Sequence, residues 1–175
     1  MKHTAAAHVG FTLLELIVVI CLIGILASVA LDRLLRYQEI AEETAMEATV
    51  GALKSAEVLQ VAAHITGGGL ATVAKLADEN PIDWLAAPPV GYLGALQDPG
   101  SANIPGGSWY FDIKNKELVY VPQRTRFLTP APDGSLRVRF RVVVKLVRTG
   151  DDGPIIGLTE LDVRPVFPVR WSPSF

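Results

Sequence analysis

The sequence predicts an α+β protein in which a long N-terminal helix, its first half transmembrane, packs on a small antiparallel β-sheet. Three observations support this fold class: an apolar run at residues 11–31, a helical repeat that continues to residue 66, and strand and hairpin patterns from residue 108 onward. With the apolar run set aside, the rest of the 175-residue chain has the size of one small domain.

The apolar run is the most distinctive feature of the sequence. Within residues 11–31, Glu15 is the one residue that is charged at neutral pH. The hydrocarbon core of a bilayer is about 30 Å thick and needs about 20 apolar residues in a helix that rises about 1.5 Å per residue. The run therefore predicts a transmembrane helix. A carboxylate at the bilayer centre costs on the order of 3 kcal/mol, so we expect Glu15 to have a partner and a function.

A helical repeat continues after the membrane segment, in residues 32–66. This segment contains no proline, and the three glycines at 67–69 end the predicted helix. Its alanine-rich stripe recurs at spacings of three and four, and we expect that stripe to cover the sheet. The members of the stripe are Leu34, Tyr37, Ala41, Ala45, Ala48, Ala52, Ala56, Leu59 and Ala63. Most polar residues fall outside it: Glu39, Glu42, Glu43, Glu47, Lys54 and Glu57. The alternative is a break near Asp32 followed by a separate amphipathic helix.

The second half of the chain predicts a variable region and then a sheet. Residues 67–107 contain a short helix at 70–79 and a long connection, rich in proline and glycine, that we expect to pack on the domain. Residues 108–175 contain two hairpins, one at 108–121 and one formed by 136–148 with 155–166. The pattern predicts about four antiparallel strands with one apolar face, which needs a covering layer.

Composition excludes several classes of function. The net charge of −2 and the pI of about 5.9 do not indicate a nucleic-acid partner. Cys21 is the single cysteine, so the chain can form no internal disulfide. His64 is the one histidine outside the first ten residues, and no catalytic set or phosphate-binding glycine loop accompanies it. We therefore expect no enzyme activity and no cofactor.

The residues that precede and open the apolar run form a motif, Gly10-Phe11-Thr12-Leu13-x-Glu15. This motif, followed by the apolar span, resembles the N-terminus of type IV pilins and of type II secretion pseudopilins. The resemblance covers about the first third of the chain. It implies a leader at residues 1–10, cleavage by a prepilin peptidase between Gly10 and Phe11, and methylation of the new amino terminus at Phe11. It also implies an assembly role for Glu15, whose carboxylate would face the N-terminal amine of a neighbouring subunit.

The function implied by this resemblance is that of a structural subunit of a type IV pilus or of a type II secretion pseudopilus. The subunit would be a single-pass protein of the inner membrane with its head in the periplasm, and would then enter a filament. The implied partners are other pilin or pseudopilin subunits, the prepilin peptidase and an inner-membrane platform protein. The resemblance leaves open whether the filament serves secretion, adhesion, motility or DNA uptake, and whether the subunit is major or minor.

Four alternatives remain open at the level of sequence. Glu15 could lie at the membrane edge and reach water, and the whole chain could be a monomeric single-span binding module with a periplasmic sheet domain. Asp32 stands where the family commonly has a proline, so it is open whether the helix loosens after Gly24. Asp151 and Asp152 read most simply as a hairpin turn, with calcium binding as the alternative because some major pseudopilins bind calcium near their C-termini.

Overall fold

The computed structural model describes residues 11–100, 103–150 and 153–171, and the chain divides into two units between Gln38 and Glu39. The described helices are α1 (Leu13–Gly68), α2 (Leu70–Val73) and two 3₁₀ helices, Ala74–Asp78 and Pro81–Trp84. The described strands are β1 (Tyr92–Leu96), β2 (Ser108–Asp112), β3 (Glu117–Val121), β4 (Val138–Arg148) and β5 (Ile155–Pro165). This is the α+β class that the sequence predicts.

Helix α1 is continuous, and no break occurs near Asp32. Its first part is long and apolar enough to cross a membrane, which supports a membrane anchor. The helix ends where the glycines begin, because Gly69 adopts a φ of 75° and its N–H donates to the Ile65 carbonyl at 3.0 Å. Glycine adopts a positive φ at little steric cost, so it suits the residue at which a helix ends.

The sheet has the strand order β1-β2-β3-β4-β5. The two predicted hairpins are confirmed, since β2 pairs antiparallel with β3 and β4 pairs antiparallel with β5. The sheet is nevertheless mixed, because β1 lies parallel to β2 within the region that the sequence predicts as a packed connection. Strand β1 has only five residues, its register is irregular, and Gly94 within it has a φ of 92°, so it lacks the usual strand pattern.

The core of the second unit lies between the sheet and residues 39–68 of helix α1. Trp109, Tyr120 and Phe140 stack on one face of the sheet, with ring centroids 4.7 Å apart for Trp109–Tyr120 and 6.0 Å apart for Trp109–Phe140. Met46 and Leu53 belong to the same buried cluster, and Leu53 is completely buried. Each such buried side chain contributes about 1.5–3 kcal/mol relative to an exposed one.

The face of helix α1 that enters this core is not the alanine-rich stripe. The buried positions of the helix are Glu39, Met46, Leu53 and Glu57, which follow the 3.6-residue repeat. Ala41, Ala45, Ala48, Ala52, Leu59 and Ala63 are exposed, and of the stripe beyond residue 38 only Ala56 is half-buried. The prediction that the stripe covers the sheet is therefore wrong. Methionine and leucine have the volume to fill the space above an aromatic layer, whereas alanine does not.

Candidate functional site

The N-terminus of helix α1 is built by the residues of the sequence motif. The N–H of Glu15 donates to Thr12 Oγ1 at 3.2 Å, and the N–H of Leu16 donates to the Thr12 carbonyl at 3.1 Å. Thr12 is therefore the N-cap, and the Thr-x-x-Glu spacing is that of a capping box. The threonine of the motif thus also determines where the helix begins.

Glu15 lies in the first turn of the helix and is exposed. A carboxylate at this position interacts favourably with the positive end of the helix dipole. Within residues 11–100, 103–150 and 153–171 its carboxylate has no salt-bridge partner.

Phe11 precedes this cap and is 75% exposed. All residues from 11 to 35 are exposed as well, and Cys21 among them is a free thiol. An apolar helix exposed on all sides is stable in lipid or among other apolar helices, and not in water. Gly10, Asp151 and Asp152 lie outside the described residues, so the cleavage position and the calcium alternative stay predictions.

A second constellation, which sequence reasoning missed, joins helix α1 to the segment after β3. Glu39 is only 5% exposed, and its carboxylate accepts the backbone N–H groups of Arg126 at 3.1 Å and Phe127 at 3.0 Å. Glu42, one turn later, accepts the backbone N–H of Arg124 at 3.2 Å and that of Gln123. Two carboxylates therefore bind the backbone of a segment that has no regular secondary structure.

The same Glu42 carboxylate accepts the phenolic hydroxyl of Tyr120 at 2.9 Å. Burial raises the pKa of the Tyr120 phenol, and the hydrogen bond to Glu42 and the charge of Glu42 raise it further. This hydrogen bond has a structural role, because the Tyr120 hydroxyl and the Glu42 carboxylate satisfy each other's hydrogen-bonding capacity at the junction of helix and sheet. The signal that could have found it is the helical register: counting back from Met46 and Leu53 in steps of 3.6 reaches Glu39 and Glu42.

The face of helix α1 opposite the core carries no charged residue over residues 40–66. We call this surface the outer face; it consists of Ile40, Ala41, Thr44, Ala45, Ala48, Gly51, Ala52, Ser55, Val58, Leu59, Ala62, Ala63 and Thr66, all exposed. Its polar groups are satisfied within the helix, since the hydroxyls of Thr44, Ser55 and Thr66 donate to backbone carbonyls four residues earlier. The helix is thus unusual in burying glutamates and exposing alanine and leucine.

Potential metal-ligating side chains are dispersed in the part of the chain that the structure describes. It contains no group of three or more His, Cys, Asp or Glu side chains that could hold a metal ion. His64 Nε2 lies 3.4 Å from Glu79 Oε1, and Glu79 Oε2 accepts the indole N–H of Trp84 at 3.0 Å. Glu79 therefore links the end of helix α1 to the segment that follows it.

Comparison of the chain with protein-family models, with curated proteins and with solved structures found no match.

Proposed function

We propose that this protein is a pilin-like structural subunit, a pseudopilin or a minor pilin, that polymerises through helix α1. The proposal begins from the resemblance of residues 10–15 to the prepilin motif. The single structural observation that carries it is the outer face: a charge-free, exposed surface of mostly small and aliphatic residues on the helix.

In a monomeric anchored domain, this exposed and charge-free face of the helix would have no function. A solitary amphipathic helix directs its charged residues to water and its apolar residues to the core, which is the usual pattern. Here the glutamates at 39 and 57 face the core, while Val58 and Leu59 are 68% and 72% exposed. Small residues allow the backbones of two helices to approach closely, so the outer face suits a second copy of this helix.

In this proposal Glu15 fixes how neighbouring helices align along their length in the filament. In an apolar filament interior, the contacts between helices are nearly uniform along their length, whereas a carboxylate and an ammonium attract strongly at low dielectric. The exposed Glu15 of one subunit would accept the N-terminal amine of the next, released by cleavage after Gly10. An unpaired charge in that environment is costly, so a wrong register is disfavoured.

The test is made in cells that contain a prepilin peptidase and an assembly machinery. Replacing Gly10 with leucine should leave the full-length precursor, detected by mass spectrometry of the purified protein. Glu15→Ala should be inserted and cleaved normally, yet should reduce the amount of pelletable, crosslinkable polymer at least tenfold. Glu47→Ala, which removes an exposed carboxylate elsewhere on the same helix, serves as the matched control and should polymerise normally.

The rival function is a monomeric binding module anchored by the same helix. It predicts an intact leader and no crosslinked species beyond the monomer, whatever residue stands at position 15. Wild-type protein that keeps its first methionine and remains monomeric in those cells would contradict the pilin-like function.

A further inference from the structure

Helix α1 meets the edge strand β5 through a buried carboxyl group, that of Glu57. The residue is 7% exposed, and the backbone N–H of Val163 in β5 lies close enough to its carboxylate to favour the ionised form. The carboxylate oxygen Oε2 is buried and has no hydrogen-bond partner among the described residues. A buried carboxylate with one unsatisfied oxygen is costly, whereas the neutral acid lowers that cost.

The charged groups around Glu57 come from both packed elements. Asp162 of β5 is close enough to repel it, and Lys54 of the helix forms an ion pair with Asp162 at 2.7 Å. Glu160 lines the same shallow groove, but Lys145 and Arg164 already neutralise it. Glu57 therefore faces the Asp162 carboxylate and the Lys54 ammonium group, and these two groups form an ion pair with each other.

These surroundings favour the protonated form of Glu57. Burial is the main cause of its raised pKa, and the charge of Asp162 adds to it; the Val163 N–H and Lys54 act in the opposite direction. The group lies beyond the apolar segment that we treat as membrane-spanning. Protons from water would reach Oε2 through the groove at the margin of the helix.

We propose that Glu57 is a proton-operated latch between helix α1 and strand β5, closed when Oε2 carries a proton and loosened when the carboxyl group ionises. Because the folded-state pKa is raised, the stabilisation is fully present below the ordinary glutamate pKa of about 4.3 and is lost as the pH rises through the folded-state value. The contact between helix and edge strand is thus tighter in acid. The proposal depends on the head region alone and not on polymerisation.

The test measures hydrogen exchange of β5 in the full chain in detergent micelles. Protection of a β5 peptide is divided by that of a β2 peptide at each pH, so that the intrinsic pH dependence of exchange cancels. For the wild type this ratio should fall as the pH rises from about 4 to 8, by about tenfold for each unit by which the pKa is raised. Glu57→Gln, a neutral isostere, should make the ratio independent of pH, whereas Glu160→Gln should retain the wild-type profile.

Two further variants test the direction and cover the case in which Glu57→Gln fails to fold. Asp162→Asn removes the repelling charge and should move the midpoint of the profile to lower pH. Lys54→Met removes the attracting charge and should move it to higher pH. A flat wild-type profile, an unchanged profile in Glu57→Gln, or midpoints that move in the same direction in the last two variants would overturn the latch.

Discussion

The Glu42 carboxylate of helix α1 accepts the hydroxyl of Tyr120 from strand β3 at 2.9 Å and also binds two backbone N–H groups of the following segment. A single side chain of the helix thus holds both the sheet and the chain that leaves it. The Glu42 side chain is 9% exposed, so water cannot easily replace it in these contacts.

Substitution at this junction should destabilise the head to different extents. Glu42→Ala leaves three donors without an acceptor, of which the Tyr120 hydroxyl and the Arg124 N–H are part-buried, and should cost about 2–4 kcal/mol, whereas Tyr120→Phe removes one hydrogen bond and should cost about 1 kcal/mol. Denaturant unfolding of the full chain in micelles, followed by tryptophan fluorescence, measures both values. The double variant should cost less than the sum of the two single ones. Additive costs would show that the two residues do not interact.

Three tyrosines should titrate only as the head unfolds in alkali. Burial raises the pKa of the Tyr92, Tyr110 and Tyr120 phenols above the ordinary value, and the charge of Glu42 adds to the effect at Tyr120. A raised folded-state pKa means that their stabilisation is complete below the unfolded-state value of about 10 and is lost as the pH rises above it. Phenolate absorbance of these groups should therefore increase together with the loss of near-ultraviolet circular dichroism. A smooth increase while the tertiary signal persists would contradict this.

Charge on the outer face should block polymerisation without unfolding the subunit. Ala48→Glu and Ala52→Glu each place a carboxylate on an exposed position of a helix, which changes the free energy of unfolding by less than about 0.5 kcal/mol. Because the carboxylate would be desolvated between helices, the yield of pelletable polymer should fall at least tenfold. Ala87→Glu, at an exposed loop position, is the matched control and should polymerise normally. Wild-type polymer yields from both helix variants would exclude the outer face as the subunit interface.

The turn between β2 and β3 contains a backbone conformation that glycine prefers. Lys116 has a φ of 55°, and Asp112 organises the turn by accepting the N–H groups of Lys114 at 3.0 Å and Asn115 at 3.1 Å. Lys116→Gly removes the steric cost of the left-handed conformation and should raise the free energy of unfolding by about 0.5–1 kcal/mol. Lys114→Gly, in the same turn, gains no such relief and should be neutral or destabilising. The melting temperatures of the two variants give the comparison.

The alternation of apolar and charged residues was sufficient to predict the hairpin of β4 and β5, because a strand with one buried face imposes a repeat of two on its own sequence. Strands β2 and β3 are buried on both faces and do not alternate, and their hairpin was predicted from two β-rich runs on either side of a Lys-Asn-Lys turn. Strand β1 was not predicted, because its short sequence does not show a clear strand pattern. Its partner β2 lies beyond a long connection in the chain, and its pairing, not its local sequence, makes Tyr92–Leu96 a strand.

What the sequence by itself determined is the apolar span with its single carboxylate, the helix that ends at the three glycines, and the α+β class. Only the tertiary structure decided which face of helix α1 is buried. Both faces repeat at 3.6 residues, so periodicity cannot distinguish them, and alanine counts as apolar although it is too small to fill the space above Trp109 and Phe140. The buried face is the one with Met46 and Leu53, because these side chains have the volume to fill that space. Glu39 and Glu42 lie on the same face of the helix, and backbone N–H groups from a distant part of the chain donate hydrogen bonds to their carboxylates.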